Sequence, residues 1–500
     1  MTPSGGLRLA TPAEMGRIDR RTIEAGTPGM VLMERAGLAV AQVVRDQWDG
    51  GPVAVLCGPG NNGGDGFVAA RILAADGFDI RLSLLGEAEK LKGDARTAFE
   101  RWNGTTGSLA DAEPERCGAV VDGLFGAGLT RPLDGTAAEA VERVVETCAA
   151  TIAIDLPSGV SGETGEVLGP AFQATHTVTF GCAKPGHFLY PGRAYRGELK
   201  LADIGLEADA IAAETSALWQ LHPALFRHAP NVRRPEQHKY ARGHALIVGG
   251  SRHRSGAARL AATTALRAGT GLVSVACPTG ALDIYASHLT SVMVAGFTDA
   301  DGLSSILEDN RLSAVLFGPA AGIGEVSRAA AAAIRRSGRP SVFDADALTS
   351  FADGPEDLFA LLDDTCVLTP HAGEASRLFS LNENKVTRVR DAARRSGAVC
   401  LIKGADTVVA APDGRAAVQT VSSPKLATAG SGDCLAGLIT GFLAQGMPAF
   451  EAAGAAIWIH SQAALEAGGA LTAEGLSERI GDVAERLLTP RNGIASPEGS

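Results

Sequence analysis

The sequence predicts an α/β protein of two domains, each built on a mostly parallel sheet between helices. Three observations carry that expectation. Short apolar runs alternate with helix-spaced segments in both halves of the chain. A stretch near residues 215–235, with Pro223, Pro230 and Pro235 and few strand formers, interrupts the alternation. Polar, glycine-bearing loops follow the apolar runs, at the strand ends where a parallel sheet gathers its ligands.

At 500 residues the chain is too long for one ordinary domain. A content of 45% hydrophobic and 20% charged residues suits a globular protein with room for two cores. The formal net charge is −11 with no long basic run, which excludes nucleic acid and anionic membranes as main partners. Phosphates must then be bound locally, by backbone amides and a few placed cations. Met1 to Arg21 carries no apolar signal core, and no apolar stretch reaches the ~20 residues of a membrane span. A cytoplasmic location is expected. The eight cysteines form no CxxC pair and sit mainly in apolar contexts, as reduced buried thiols do.

In chain order, Pro28 to Trp48 reads as a long helix and Val53 to Cys57 as a buried strand. Gly64 to Ala75 reads as a helix, with Phe67, Val68, Ile72 and Leu73 on one face. Further strands are expected at 80–85, 119–121, 151–154 and 177–180. A second alternation begins at 245–248, with strands at 272–276, 292–295, 314–317, 341–343, 366–368 and 399–402. Runs 408–411 and 416–420 flank Asp413-Gly414, a hairpin signal. Two helices, near 432–444 and 449–466, close the pattern. The expected organisation is a domain over 1–215, a linker over 216–234, a domain over 235–490 and a disordered tail over 491–500.

In the first half, Gly58-Pro59-Gly60-Asn61-Asn62-Gly63-Gly64-Asp65-Gly66 follows a strand and opens a helix. Glycines permit close backbone approach, and a helix N-terminus favours an anion, so a phosphate or pyrophosphate is expected there. The motif is neither a Walker loop nor GxGxxG. Two more loops end strands of the same sheet: residues 121–129 around Asp122-Gly123 and residues 154–159 around Asp155 and Ser158. Asn62, Asp122 and Ser158 offer hard oxygen ligands, suited to an alkali or alkaline-earth cation rather than zinc. Any one carboxylate of these loops alone would be read more simply as a helix cap.

In the second half, Ala429-Gly430-Ser431-Gly432-Asp433 precedes an apolar helix. Its amides can face a phosphoryl group, and Asp433 in the first turn can take a proton from a hydroxyl nucleophile. The plainer reading of Asp433 is an acid that favours the helix N-terminus. Loops 318–322, 344–348, 369–374 and 403–407 also follow apolar runs.

The first-half loops, NNGGDGF with DGLFGAGL and IDLPSG, resemble those of the NAD(P)H-hydrate epimerases over about residues 10–210. The resemblance implies a Rossmann-like fold, a potassium ion on Asn62, Asp122 and Ser158, and a catalytic Asp155. Hydrate contacts carry over to Asn61, Asn62, Gly63, Gly64, Asp65, Gly126, Ala127, Gly128, Leu129, Thr130, Arg131, Pro132 and Asp155. The second-half motifs are similar to those of the ribokinase-like superfamily, and within it of the ADP-dependent NAD(P)H-hydrate dehydratases, over about 235–490. Nucleotide contacts carry over to Lys403, Gly404, Ala405, Asp406, Thr407 and Gly432. Hydrate contacts carry over to Ala257, Gly318, Gly322, His371 and Asp433, with Asp433 catalytic. Loop 318–322 departs from the family's GPGxG at Ala320, and no role is assigned to Lys239-Tyr240-Ala241-Arg242-Gly243.

The resemblance therefore implies a bifunctional nicotinamide-nucleotide repair enzyme. It would epimerise the R and S forms of hydrated NADH and NADPH and dehydrate the S form with ADP and Mg²⁺, giving NAD(P)H, AMP and phosphate. A homo-oligomer is expected. The alternatives are a small-molecule kinase of the same superfamily, or a first domain that binds without turnover.

Overall fold

A computed structural model describes residues 7–145, 150–226, 238–379 and 384–488. The chain divides into two compact units, Met1–Trp219 and Gln220–Ser500. The tail expected over 491–500, residues 227–234 of the expected linker and Cys148 lie outside the described residues.

In the first unit β1 (Val53–Cys57), β2 (Ile80–Leu84), β3 (Thr106–Ser108), β4 (Ala119–Gly123), β5 (Ala150–Ile154), β6 (His176–Phe180) and β7 (Glu198–Ala202) form one sheet. Its order is β3-β2-β1-β4-β5-β6-β7. Every neighbouring pair runs parallel. A parallel strand covered on both faces reads as an unbroken apolar run, and β1 (VAVLC) is buried throughout. The helices Gly29–Gln47 and Asn61–Ala75 cover one face around Val40, Val44, Phe67 and Leu73. The helix Gly135–Val145 covers the other around Val141 and Val144. Strand order reverses between β1 and β4, so their carboxyl ends flank the crevice where such sheets bind ligands.

The second unit's sheet has the order β11-β10-β9-β12-β13-β14-β15-β16-β17-β8. These are β8 (Leu218–Leu221), β9 (His244–Val248), β10 (Leu272–Pro278), β11 (Met293–Phe297), β12 (Ala314–Phe317), β13 (Ser341–Phe343), β14 (Cys366–Leu368), β15 (Val399–Ile402), β16 (Val408–Ala410) and β17 (Ala416–Gln419). From β11 to β15 the pairs are parallel, and the β15–β16–β17 pairs are antiparallel. The turn at Asp413-Gly414 joins β16 to β17. Order again reverses, between β9 and β12. The helices Ser255–Arg267, Ser431–Ala444, Ala449–Glu466 and Ala473–Leu488 share one core, which includes Ala261, Leu438, Ala456 and Ile480.

The structure adds elements that the sequence reading lacks. Strands β3 and β7 are sheet edges, and β7 alternates half-buried and exposed residues instead of presenting an apolar run. Strand β8, four residues long, lies within the segment read as linker. The closing helices are three, since Ala473–Leu488 follows the expected two. Each of the described cysteines is buried and unpaired. Among the described residues, no helix is long and apolar enough to cross a membrane.

Candidate active sites

Strand β1 delivers the chain through residues 58–60 to the helix Asn61–Ala75, which starts three residues earlier than expected. Most of the motif's glycines serve packing. A Cβ at Gly58 would stand 1.8 Å from the Leu124 carbonyl oxygen, and one at Gly63 would stand 1.9 Å from the Gly58 carbonyl oxygen. One at Gly64 would stand 2.5 Å from Met33 Cε. These positions close the loop on the helix and on the loop after β4. Gly60 is different: it has open space around it, and no side chain caps the helix it begins. Gly60, Asn61 and Asn62 line a cavity of about 660 Å³. Unsatisfied N–H groups at such an end favour an anion.

Of the expected hydrate contacts, Asn61, Asn62, Asp65, residues 126–131 and Asp155 line this cavity, whereas Gly63, Gly64 and Pro132 do not. Gly126 lets its loop run between two of these groups. A Cβ there would fall 2.9 Å from Asp155 Oδ2 and 3.0 Å from Asn62 Oδ1.

Asp155 follows β5 with φ +63, a conformation that a non-glycine residue adopts only when its surroundings impose it. Its Oδ2 accepts from Ala127 N at 2.9 Å, and its Oδ1 accepts from Lys184 Nζ at 2.6 Å and from Thr179 Oγ1 at 3.0 Å. His187 Nε2 donates to the Asp155 carbonyl at 2.7 Å. Burial opposes charge on this carboxyl most strongly, but the charge and hydrogen bond of Lys184, with His187 and the Ala127 N–H, together outweigh it and hold the group down at about 2. Burial, followed by the repulsion of Lys184, pushes His187 down to about 4, so its ring is neutral. Asp65 behaves oppositely. Burial, then the charges of Asp155 and Asp19, raises it well above the usual carboxylate range.

Beneath this wall, fully buried Asp122 accepts from Ser158 Oγ at 2.7 Å, from Ser158 N at 2.8 Å and from Leu124 N at 3.2 Å. Burial pushes its carboxyl up to about 6, although those hydrogen bonds pull it down. The buried Asn62 Nδ2 has no hydrogen-bond partner.

In the second unit the helix Ser431–Ala444 begins at Gly430, with φ +88 and no side-chain cap. Asp433 stands in its first turn. Lys403 Nζ donates to Asp344 Oδ1 at 2.8 Å and lies 3.5 Å from where a Gly432 Cβ would be. Burial pushes Asp433 up to about 6, Asp344 adds to the rise, and Lys403 opposes it. His460 Nε2 donates to the Ser431 carbonyl at 2.9 Å and so fixes the start of the helix. Loop 318–322 packs on the same strand ends. A Cβ at Gly318 would meet the Asp344 carbonyl oxygen at 1.8 Å, and Gly322 N donates to Asp346 Oδ2 at 2.9 Å.

A second cavity, of about 480 Å³, collects Lys403, Gly404, Ala405, Thr407 and Gly432, with His371 and His460. Of the expected nucleotide contacts only Asp406 is absent from its lining, and it pairs instead with Lys385. Ala257, Gly318, Gly322 and Asp433 do not line this cavity, and Ala257 is half-buried on the helix Ser255–Arg267. His371, read as a loop residue, is the N-cap of the helix Ala372–Leu378. Its Nδ1 accepts from Gly373 N and Glu374 N, and Glu374 accepts from His371 N in return.

Sequence reasoning missed Lys184, Thr179, His187 and Asp19 in the first unit and His460 in the second, and it named the loop of Asp344 without giving that residue a role. Lys184 and His187 stand in the loop after β6, whose position at a strand end was an available signal.

The fold and the two cavities define a two-unit α/β enzyme, with Asp155 on the wall of the first cavity and Asp433 in the helix turn that carries Gly432 to the second. A family profile described as YjeF-related protein N-terminus matches residues 29–186, and one described as NAD(P)H-hydrate dehydratase matches residues 245–484. The bifunctional NAD(P)H-hydrate repair enzyme of Moorella thermoacetica is 37% identical over 498 residues, covering 92% of each chain. That of Thermofilum pendens is 36% identical over 489 residues, covering 91% of each. Among solved structures, the ADP/ATP-dependent NAD(P)H-hydrate dehydratase of Bacillus subtilis, co-crystallised with ATP and Mg²⁺, aligns with a TM-score of 0.46 at 24% identity. It covers 54% of this chain and 98% of that one. The chain belongs to the family of bifunctional NAD(P)H-hydrate repair enzymes.

Proposed function

We propose that the first unit interconverts the R and S epimers of hydrated NADH and NADPH, over the expected domain 1–215. The second, over 235–490, dehydrates the S epimer at the expense of ADP, giving NAD(P)H, AMP and phosphate. The observation that carries the second step is Asp433, held in the first turn of an uncapped helix beside Lys403. A carboxyl pushed up to about 6 is still mostly ionised at neutral pH and is a stronger base than an ordinary one. It takes the proton of the hydrate hydroxyl as that oxygen attacks the β-phosphorus of ADP and the bond to AMP breaks. The N–H groups of the helix end and the Lys403 ammonium stabilise the transferring phosphoryl. Phosphate then leaves, and loss of a ring proton restores the double bond. Hydroxide alone would be a poor leaving group.

In the first unit Asp155, charged and aimed into the cavity, is the group fitted to handle the hydrate's proton. Asn62, Asp122 and Ser158 fit a potassium ion. Asp122 is a fully buried carboxylate, and no cationic side chain among the described residues pairs with it. The unpartnered Asn62 amide presents an oxygen in place of its nitrogen after a flip. Such an ion would neutralise Asp122 and fix the loops after β1, β4 and β5. Potassium should therefore raise the melting temperature of the chain more than sodium or lithium at equal ionic strength. Equal effects of the three cations would count against the assignment.

Product analysis separates the repair reaction from a kinase. With hydrate and ADP, AMP and inorganic phosphate should accumulate together with the reduced nucleotide. A phosphorylated product that persists would favour the kinase.

A further inference from the structure

We propose that Lys184 is a positioning residue of the first unit's reaction, holding the Asp155 carboxylate charged and directed at the cavity. The inference rests on reading that unit as an epimerase.

Lys184 is 4% exposed at its side chain, an unusual place for an ammonium. Its three N–H donors meet two protein acceptors, Asp155 Oδ1 at 2.6 Å and Thr179 Oγ1 at 3.0 Å, and the residue lines the cavity. Thr179 Oγ1 donates in turn to Asp155 Oδ1. His187 closes the arrangement. Its Nδ1 accepts from Lys184 N at 2.9 Å, and its Nε2 donates to the Asp155 carbonyl. Backbone and side chain of Asp155 are thus both tied to the loop after β6, and Ala127 N holds the second carboxylate oxygen.

Replacing a whole buried ion pair by apolar groups is often neutral, whereas removing one partner strands the other charge, so stability and catalysis are read separately in each variant. What the lysine does is electrostatic. The titratable groups facing Asp155 are Lys184 and His187 from the loop after β6, Asp65 from the helix Asn61–Ala75 and Asp19 from the helix Pro12–Glu24. His187 is neutral, burial raises Asp65 and Asp19 in their turn, and Lys184 is the cation paired with Asp155. Without Lys184, burial acts on the Asp155 carboxyl unopposed by a neighbouring cation and raises it toward neutrality.

The test uses the full-length chain with Lys184→Met, Lys184→Gln and Lys184→Arg. Epimer interconversion is followed without nucleotide from about pH 5 to 9, after subtraction of the uncatalysed rate. ADP-dependent dehydration of the S epimer on the same preparations normalises for the amount of active chain, and an unchanged melting transition of the first unit together with an unchanged KM for epimerisation reports that the first unit is folded. In Met and Gln variants an acid limb that the wild type lacks between pH 5 and 9 should appear, because the wild-type carboxyl stays ionised over that whole range. With its midpoint at about 7, kcat should fall about 10-fold at pH 6 and recover toward pH 9, with KM little changed. The Arg variant should keep the wild-type profile at a lower rate. Variant profiles that overlay the wild type, or fall equally at every pH, overturn the inference while leaving the epimerase reading intact. A wild-type chain that leaves the epimer ratio unchanged overturns the reading itself, and this inference with it.

Discussion

Asp155, Ala320 and Ala345 are the non-glycine residues with left-handed backbone among those described, and all follow strands that border a site. Each such residue stores about 1–3 kcal/mol that its surroundings must offset. For Asp155 the offset is visible in its hydrogen bonds. Ala320, where the family pattern has glycine, has no polar side chain to fix it. Ala320→Gly removes roughly 1–2 kcal/mol of left-handed strain and adds about 0.5–1 kcal/mol of unfolded-chain entropy. A slightly higher melting temperature with near-normal dehydration is therefore expected, and a lower one would show that the methyl contributes to packing. Asp433 allows a sharper test. As a base it works when ionised, so the dehydration rate should rise with pH through about 6 and level off above. Asp433→Asn should lose about 10²–10⁴-fold and the acid limb with it, while nucleotide affinity changes little. Near-normal turnover would leave Asp433 with only its effect on the helix end.

At the scale of elements, legibility followed burial. The central strands β1, β4, β9, β12 and β15 are buried along their length, as β5 is from Thr151 onward, and they read plainly as apolar runs. The edges β3 (TGS) and β7 (ELKLA) have little apolar signal, because one side of an edge strand meets solvent. The helix Ala473–Leu488 carries Leu476, Ile480 and Val483 at helical spacing, a signal in the sequence that the expected pattern of two closing helices leaves out. Contacts distant in sequence were not legible. Nothing local to Lys184 says that it folds back onto Asp155, and nothing local to Gly58 says that Leu124 will press on it. Gly58→Ala should therefore cost about 1–3 kcal/mol or more through overpacking against backbone, measured by chemical denaturation. A neutral result would mean that the loop relaxes freely. For His371 the cap and the proposed hydrate contact separate cleanly. His371→Asn preserves a capping side chain. Unchanged stability with a raised KM for the hydrate would support the contact, and unchanged KM would leave the cap as the role of this residue.

At the scale of the molecule, two units of one chain carry sites of different chemistry: one charged carboxylate in a network of hydrogen bonds, and one raised carboxylate at an uncapped helix end. The reading is that both act on the same damaged nucleotide, and the two should fail independently. The most direct measurement follows both epimers and AMP by chromatography after an equal mixture of R and S hydrate meets excess ADP, with wild type, Asp155→Asn and Asp433→Asn in parallel. The wild type should consume both epimers completely and release one AMP per reduced nucleotide. Asp155→Asn should consume the S epimer at the normal initial rate and then slow to the uncatalysed epimerisation of what remains. Asp433→Asn should form almost no reduced nucleotide yet still equilibrate an unbalanced epimer mixture. A wild-type chain that strands the R epimer, or an Asp155→Asn chain that clears both epimers as fast as wild type, would contradict the two-step reading.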